Sequence, residues 1–222
     1  MSSPLAAQRR RQALAFAVSG VFATPALAQN PAATIETPNV NVIGATPLPG
    51  LGMPIEKFPG NVQSVTASDV RRQQSLNLPD LLTTQLPSVN VNDVQGNPYQ
   101  PDLNYRGFTA SPLLGVPQGL SVYQDGVRIN EPFGDIVNWG LIPMNAISTV
   151  NLIPGSNPLF GLNTLGGALS LRTKSGFQFP NTSIELSGGS WGRKQLQFEH
   201  GGYTGNKDYF IAGNWFKEDG WR

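Results

Sequence analysis

The sequence predicts a small α+β domain followed by antiparallel strands with the texture of a transmembrane β-barrel. Between residues 55 and 180, brief strand patterns alternate with short helical ones and are separated by turn residues. From 181 onward the segments lengthen, alternate apolar with polar, and carry aromatics at their margins. Gly (25) and Pro (19) are abundant and charged residues make up only 13% of the chain, which suits turn-rich β structure better than a helical bundle.

The elements follow in order. Residues 1–28 read as an export signal: Arg9-Arg10-Arg11 form a basic start, Ala13 to Ala23 an apolar run, and Ala26-Leu27-Ala28 a small-residue cleavage site before Gln29. The alternative is a membrane anchor, but the run is shorter than the ~20 residues a spanning helix needs. Residues 29–54 form a Pro-, Thr-, Asn- and Gly-rich tether, expected to be flexible. Within it Val40-Asn41-Val42-Ile43 alternates and meets Gly44, a pattern that fits either strand addition to a partner's sheet or an ordinary linker.

In the α+β domain, Val62 to Val65 reads as a strand, and Ser68 as the cap of a short helix through Val70 and Arg72. Leu78, Leu81, Leu82 and Leu86 share one face of a second helix, with Pro79 in its first turn and Pro87 ending it. Ser88 to Val94 and Leu103 to Gly107 are predicted strands. Leu120 to Gln124 and Val127 to Asn130 flank Asp125-Gly126, a hairpin turn. Thr149 to Ile153 and Ala168 to Thr173 complete the domain. Beyond it, Thr182 to Gly188, Lys194 to His200 and Tyr209 to Phe216 alternate, with Trp191, Tyr203, Tyr209 and Trp215 near strand ends. A soluble sandwich would also alternate; the aromatics and the export signal favour a membrane wall.

Charge narrows the function. The chain holds 15 Lys plus Arg against 14 Asp plus Glu, and without the three signal arginines 12 against 14. No basic patch for nucleic acid is expected. The absence of cysteine removes disulfides and Cys-ligated metals, and His200, the single histidine, leaves little for a His-based centre. No cofactor, metal site or enzymatic activity is expected.

The order of segments resembles the TonB-dependent receptors of Gram-negative outer membranes, across roughly 40–222. Asn104-Tyr105-Arg106-Gly107-Phe108 resembles the family's Arg-Gly-Phe strand, and Val122 to Val127 its Asp-Gly-Val hairpin. Val150 to Gly155 followed by Asn157 to Gly161 resembles its glycine, short turn and aromatic-Gly segment. Leu165 to Lys174 resembles the Gly-Gly strand that ends its plug. The resemblance implies a signal peptide (1–28), a TonB-box tether (29–54), a plug (55–180) and the first strands of a barrel (181–222) that these residues do not complete. Barrels of this type have about 22 strands, so we expect an N-terminal portion that is unable to insert as a transporter by itself.

The resemblance also implies roles. Val40, Asn41, Val42 and Ile43 stand where the family docks TonB, the periplasmic arm of the inner-membrane energy-transducing complex. Arg106 stands where an arginine pairs with barrel carboxylates to lock the plug. A second locking position is not matched, since Asn151 and Pro154 occupy the places of the usual Glu and Arg. Three segments are expected at the extracellular apex: Gln95 to Asp102, Thr109 to Gln118 and Asn130 to Gly140. Tyr99, Glu131, Phe133, Asp135, Asn138 and Trp139 are candidate cargo contacts, since aromatics beside carboxylates and amides grip an apolar edge while fixing polar groups. Phe133 and Trp139 would otherwise serve as packing. The expected cargo is an iron chelate, imported with outer-membrane lipid around the wall.

Competing readings are weaker. A self-contained periplasmic binding or structural protein would leave the terminal strands with open, partly apolar edges. An added signalling domain would need more than the 26 residues between signal and plug. Gly188 to Gly192 matches a nucleophile elbow but precedes a strand where a helix is required. Gly161 to Gly166 has phosphate-loop spacing, with Gly167 where Lys is needed.

Overall fold

A computed structural model describes residues 42–44, 52–94 and 96–220. The predicted signal and the first half of the docking segment, Val40 and Asn41, lie outside the described residues. Strands β1 (Val42–Gly44) and β2 (Gly52–Pro54) pair antiparallel as a two-stranded ribbon within the expected tether.

The centre is a five-stranded mixed sheet in the order β3-β9-β10-β7-β8. Its members are β3 (Gln63–Thr66), β7 (Leu120–Gln124), β8 (Val127–Arg128), β9 (Ile147–Pro154) and β10 (Gly167–Thr173). β10 runs parallel to β7 and antiparallel to β9. The run Val150 to Ile153 is buried on both faces. Val150 and Leu152 enter the main core with Leu82, Leu103, Val122 and Trp139. Ile153 faces a second cluster with Val62, Tyr123, Phe160 and Ala168. Double coverage accounts for the consecutive apolar Leu152 and Ile153, and the one polar residue in the run, Asn151, is satisfied by the Ser64 hydroxyl at 2.7 Å.

Helix α1 (Ala67–Gln73) starts two residues earlier than the sequence suggests. Thr66, and not Ser68, caps it: the Asp69 carboxylate accepts from the Thr66 N–H (2.9 Å) and hydroxyl (2.6 Å). Ser68 already lies inside the helix. Helix α2 (Leu78–Gln85) is capped as predicted, with Asn77 Oδ1 accepting the Asp80 N–H at 2.8 Å and Pro79 in the first turn. Leu78, Leu81 and Leu82 are buried, each contributing about 1.5–3 kcal/mol of apolar transfer.

A second sheet, β4 (Val89–Asn92), β5 (Asp102–Tyr105) and β6 (Phe108–Ala110), lies in the order β4-β5-β6. Arg106 and Gly107 form the two-residue turn between β5 and β6, both at positive φ (51° and 88°). The Arg-Gly-Phe segment is therefore a turn followed by a strand, where the sequence suggested continuous strand. Asp125 and Gly126, at φ 49° and 85°, make the predicted hairpin turn between β7 and β8. The Gly-Gly pair before β10 answers to space. A Cβ on Gly166 would collide with the Phe108 ring, and Gly167, at φ +153°, would bring one within 2.5 Å of the Ile153 carbonyl oxygen.

The last sheet is β11 (Thr182–Gly188), β12 (Lys194–Thr204) and β13 (Lys207–Lys217), antiparallel in sequence order. β11 keeps the predicted bounds, whereas β12 and β13 outrun theirs because alternation fades at Gly201-Gly202 while pairing continues to a two-residue turn, Gly205-Asn206.

Candidate functional site

The register divides the final sheet into two unlike faces. Ile184 pairs with Phe198 and Leu186 with Leu196, and Ile211 and Trp215 continue the same face; all are exposed. The opposite face carries Glu185, Gln195, Gln197, Glu199 and Asn214, and this polar face packs on the α+β domain. The apolar-out, polar-in order expected of a membrane wall is thus present in β11 and β12, while β13 also turns Phe210 and Phe216 toward the domain.

Contacts between domain and wall concentrate where the domain ends. Lys174, one residue past β10, is 3% exposed in its side chain and donates to Glu199 Oε2 at 2.5 Å. Its ammonium also lies 5.2 Å from the Phe179 ring centroid. The Lys174 N–H donates to the Ala146 carbonyl at 2.8 Å. Beside it, Asn145 Nδ2 donates to the carbonyls of Phe198 (2.9 Å) and Gly213 (3.1 Å). Backbones approach closely here, since a Cβ on Gly176 would strike the carbonyls of Gly202 and Tyr209, and one on Gly201 that of Phe179. At the other end of the wall, Tyr99 stacks edge-on against Phe216 at 4.8 Å. Burial pushes the Tyr99 phenol up to about 12. On the α1 side the link among the described residues is an exposed hydrogen bond, Gln74 Nε2 to Glu185 Oε1 at 2.8 Å.

The predicted lock, Arg106, is exposed in its turn and stacks over Tyr105 at 5.2 Å; among the described residues it makes no ion pair. Asn151 is buried in the central sheet and accepts from Ser64 Oγ at 2.7 Å. The ion pair between domain and wall comes from Lys174 and Glu199, which sequence reading missed. Only the wall's register reveals that these two residues face each other.

The predicted cargo contacts separate. Phe133 is exposed at 78%, and Glu131 accepts from Asn138 Nδ2 nearby. Asp135 is held by Arg128 in a bidentate pair (2.8 and 3.1 Å) and by Asn163 at 2.7 Å. Trp139 is 1% exposed and belongs to the main core, out of reach of a surface ligand. Tyr99 faces the wall. Arg128 and Asn163 join the cluster without any local pattern to mark them, because they arrive from β8 and from the segment before β10. In the predicted docking segment, Val42 and Ile43 form β1, whose backbone pairs with Pro54 and Met53 of β2.

Comparison with known proteins fits this geometry. The model of the TonB-dependent receptor plug domain matches residues 54–168. The chain belongs to the TonB-dependent receptors. The vitamin B12 transporter BtuB of Vibrio cholerae is 25% identical over 148 residues, 66% of this chain and 23% of the transporter. The chain thus spans about a quarter of the length of the curated relatives it matches. Among solved structures, the alcaligin outer-membrane receptor FauA of Bordetella pertussis superposes with TM-score 0.57 at 16% identity, covering 80% of this chain and 29% of that one. The ferric preacinetobactin receptor BauA of Acinetobacter baumannii gives 0.56 at 17%, covering 79% and 25%. These likenesses establish the fold: a plug followed by antiparallel wall strands, which do not close into a barrel among the described residues. The plug's Gly-Gly strand therefore leads, through Lys174, directly onto the wall.

Proposed function

We propose that this chain supplies the plug and first wall strands of an outer-membrane receptor that imports scarce, bulky cargo using force transmitted by TonB. The observation that carries this reading is the two-faced wall. Its apolar side suits outer-membrane lipid, and its polar side holds the plug through Lys174, Asn145 and Gln74. Residues 1–28 act as the export signal, 29–54 as the tether, 55–180 as the plug and 181–222 as the start of the barrel. Val40 to Ile43 is the strand that TonB captures by backbone pairing. Arg106 acts at the plug–barrel boundary against strands beyond this chain.

The cargo we assign is an iron chelate, met at the apex by Phe133, Glu131, Asp135 and Asn138. The structurally similar alcaligin and ferric preacinetobactin receptors support this choice, while the vitamin B12 transporter marks the main alternative. The test uses the receptor in outer membranes. Immobilised periplasmic TonB domain retains it, and Ile43→Pro, which removes a ladder donor, abolishes retention. Growth under iron depletion then depends on the receptor and on the same strand. Retention unaffected by I43P refutes the docking assignment; growth that requires vitamin B12 but not the iron chelate refutes the cargo.

A further inference from the structure

The apolar side of the wall is bounded by basic residues at both margins. Register sets its rows: Leu186, Leu196 and Trp215 form one, and the next row outward is Gly188, Lys194 and Lys217. Strand alternation keeps both lysines on the face of Leu196 and Trp215. At the opposite margin Thr204 pairs with Lys207. The 11 residues of β12 cover about 34 Å of strand, or ~26 Å across a bilayer at a tilt of ~40°. The apolar band of an outer-membrane barrel is about 25 Å tall, so the lysine rows stand at its two headgroup levels. Which level is which follows from the connections. A two-residue turn, Gly205-Asn206, joins β12 to β13 beside Lys207, whereas the longer segment 189–193 joins β11 to β12 beside Lys194. Short turns face the periplasm and longer loops the exterior, which places Lys194 and Lys217 at the outer leaflet.

Lys194 and Lys217 are direct cross-strand partners, and like charges so placed repel. Both are exposed, and among the described residues neither makes an ion pair. Glu218, next to Lys217 in sequence, is held instead by Arg193 at 3.0 and 3.3 Å. Gly188 adds no side chain to the row, which leaves space beside Lys194. Beneath the pair, Leu186, Leu196 and Trp215 are 77%, 38% and 53% exposed. Two uncompensated cations above an apolar strip complement an amphiphile with phosphate at its head and acyl chains below. We propose that Lys194 and Lys217 clamp the phosphate of an acylated glycolipid of the outer leaflet, whose chains lie along Leu186, Leu196 and Trp215. The inference rests on the outer-membrane reading above and adds a lipid site to it. The bound phosphate removes the repulsion between the lysines and ties β12 to β13 at their outer ends.

The test uses the whole receptor, recovered from outer membranes and delipidated in a non-ionic detergent. It is titrated with lipid A carrying both phosphates, and bound lipid is counted by native mass spectrometry. A lysine near an anionic headgroup is worth about fivefold in affinity, so K194Q/K217Q weakens binding about thirtyfold. Lys207→Gln, at the inner margin, leaves binding unchanged, and K194R/K217R retains it. Dephosphorylated lipid A binds parent and K194Q/K217Q alike. Lys217→Gln alone, with a fivefold loss, serves should the double variant assemble poorly. Equal affinity of the parent and both glutamine variants overturns the inference. An equal loss in K207Q also overturns it, as does displacement of lipid A by equimolar phosphatidylglycerol or inorganic phosphate, because the pair then takes another anion. Each of these results leaves the outer-membrane reading intact. Recovery of the parent receptor outside the outer-membrane fraction removes that reading, and this inference falls with it.

Discussion

Replacing Glu199 with alanine strands an ammonium. The Lys174 side chain is 3% exposed, and Glu199 Oε2 at 2.5 Å is its carboxylate partner. Breaking a buried pair on one side costs about 3–5 kcal/mol, because the remaining charge has lost its compensation. Lys174 lines the polar cavity between domain and wall, and Phe179 offers a ring face 5.2 Å away. Both soften the loss, so E199A should cost about 3 kcal/mol, the low end of that range. The double change K174M/E199L replaces the pair with apolar groups of similar length and should return stability to within about 1 kcal/mol of the parent. Urea unfolding of the detergent-solubilised receptor, followed by tryptophan fluorescence, measures both; the midpoint shift at constant slope gives the stability change. If E199A costs under about 1 kcal/mol, or if the double variant loses as much as the singles combined, the pair is not the buried latch described here.

Trp139 and Phe133 should part company: W139A empties the main core and costs about 3–5 kcal/mol, whereas F133A leaves the urea midpoint in place and weakens cargo binding, as equilibrium binding to purified receptor will show. Hydrogen bonds from the Thr66 hydroxyl and then the Thr66 N–H hold the Asp69 carboxyl below its ordinary 3.8. Its folded pKa is therefore depressed, so its contribution to stability is complete above about pH 4 and is lost as pH falls through the folded value. Melting curves of D69N should lack that acid-side loss, and T66A should cost about 1 kcal/mol at neutral pH; an acid dependence identical in parent and D69N would refute the assignment.

Local chemistry was legible wherever neighbours in sequence decide the outcome. Asp125-Gly126 announced its turn because both residues tolerate positive φ, and the Leu78–Leu82 face announced α2 through its period. The bounds of β11 were read correctly because alternation runs its whole length. Arg106 misled because a strand pattern continues on both sides of an Arg-Gly turn. Of the two roles the sequence left open for Trp139, packing is the one seen: its neighbours Glu131, Asp135 and Asn138 look like surface, while three-dimensional packing draws the ring inward. The Lys174–Glu199 pair and the Asn145 bridge join residues 25 and 53 positions apart. They depend on strand register and on the face each strand turns toward the plug, and no single-sequence pattern encodes either.

The ribbon of β1 and β2 bears on how a strand-forming tether avoids unwanted pairing. An unpaired strand edge invites adhesion to neighbouring polypeptides, and β2 occupies one edge of β1 through three residue pairs. So short a ladder is marginal alone, and a partner offering more rungs displaces it readily. On the docking assignment proposed above, self-pairing would work as a sheath, covering the segment until TonB offers the longer ladder.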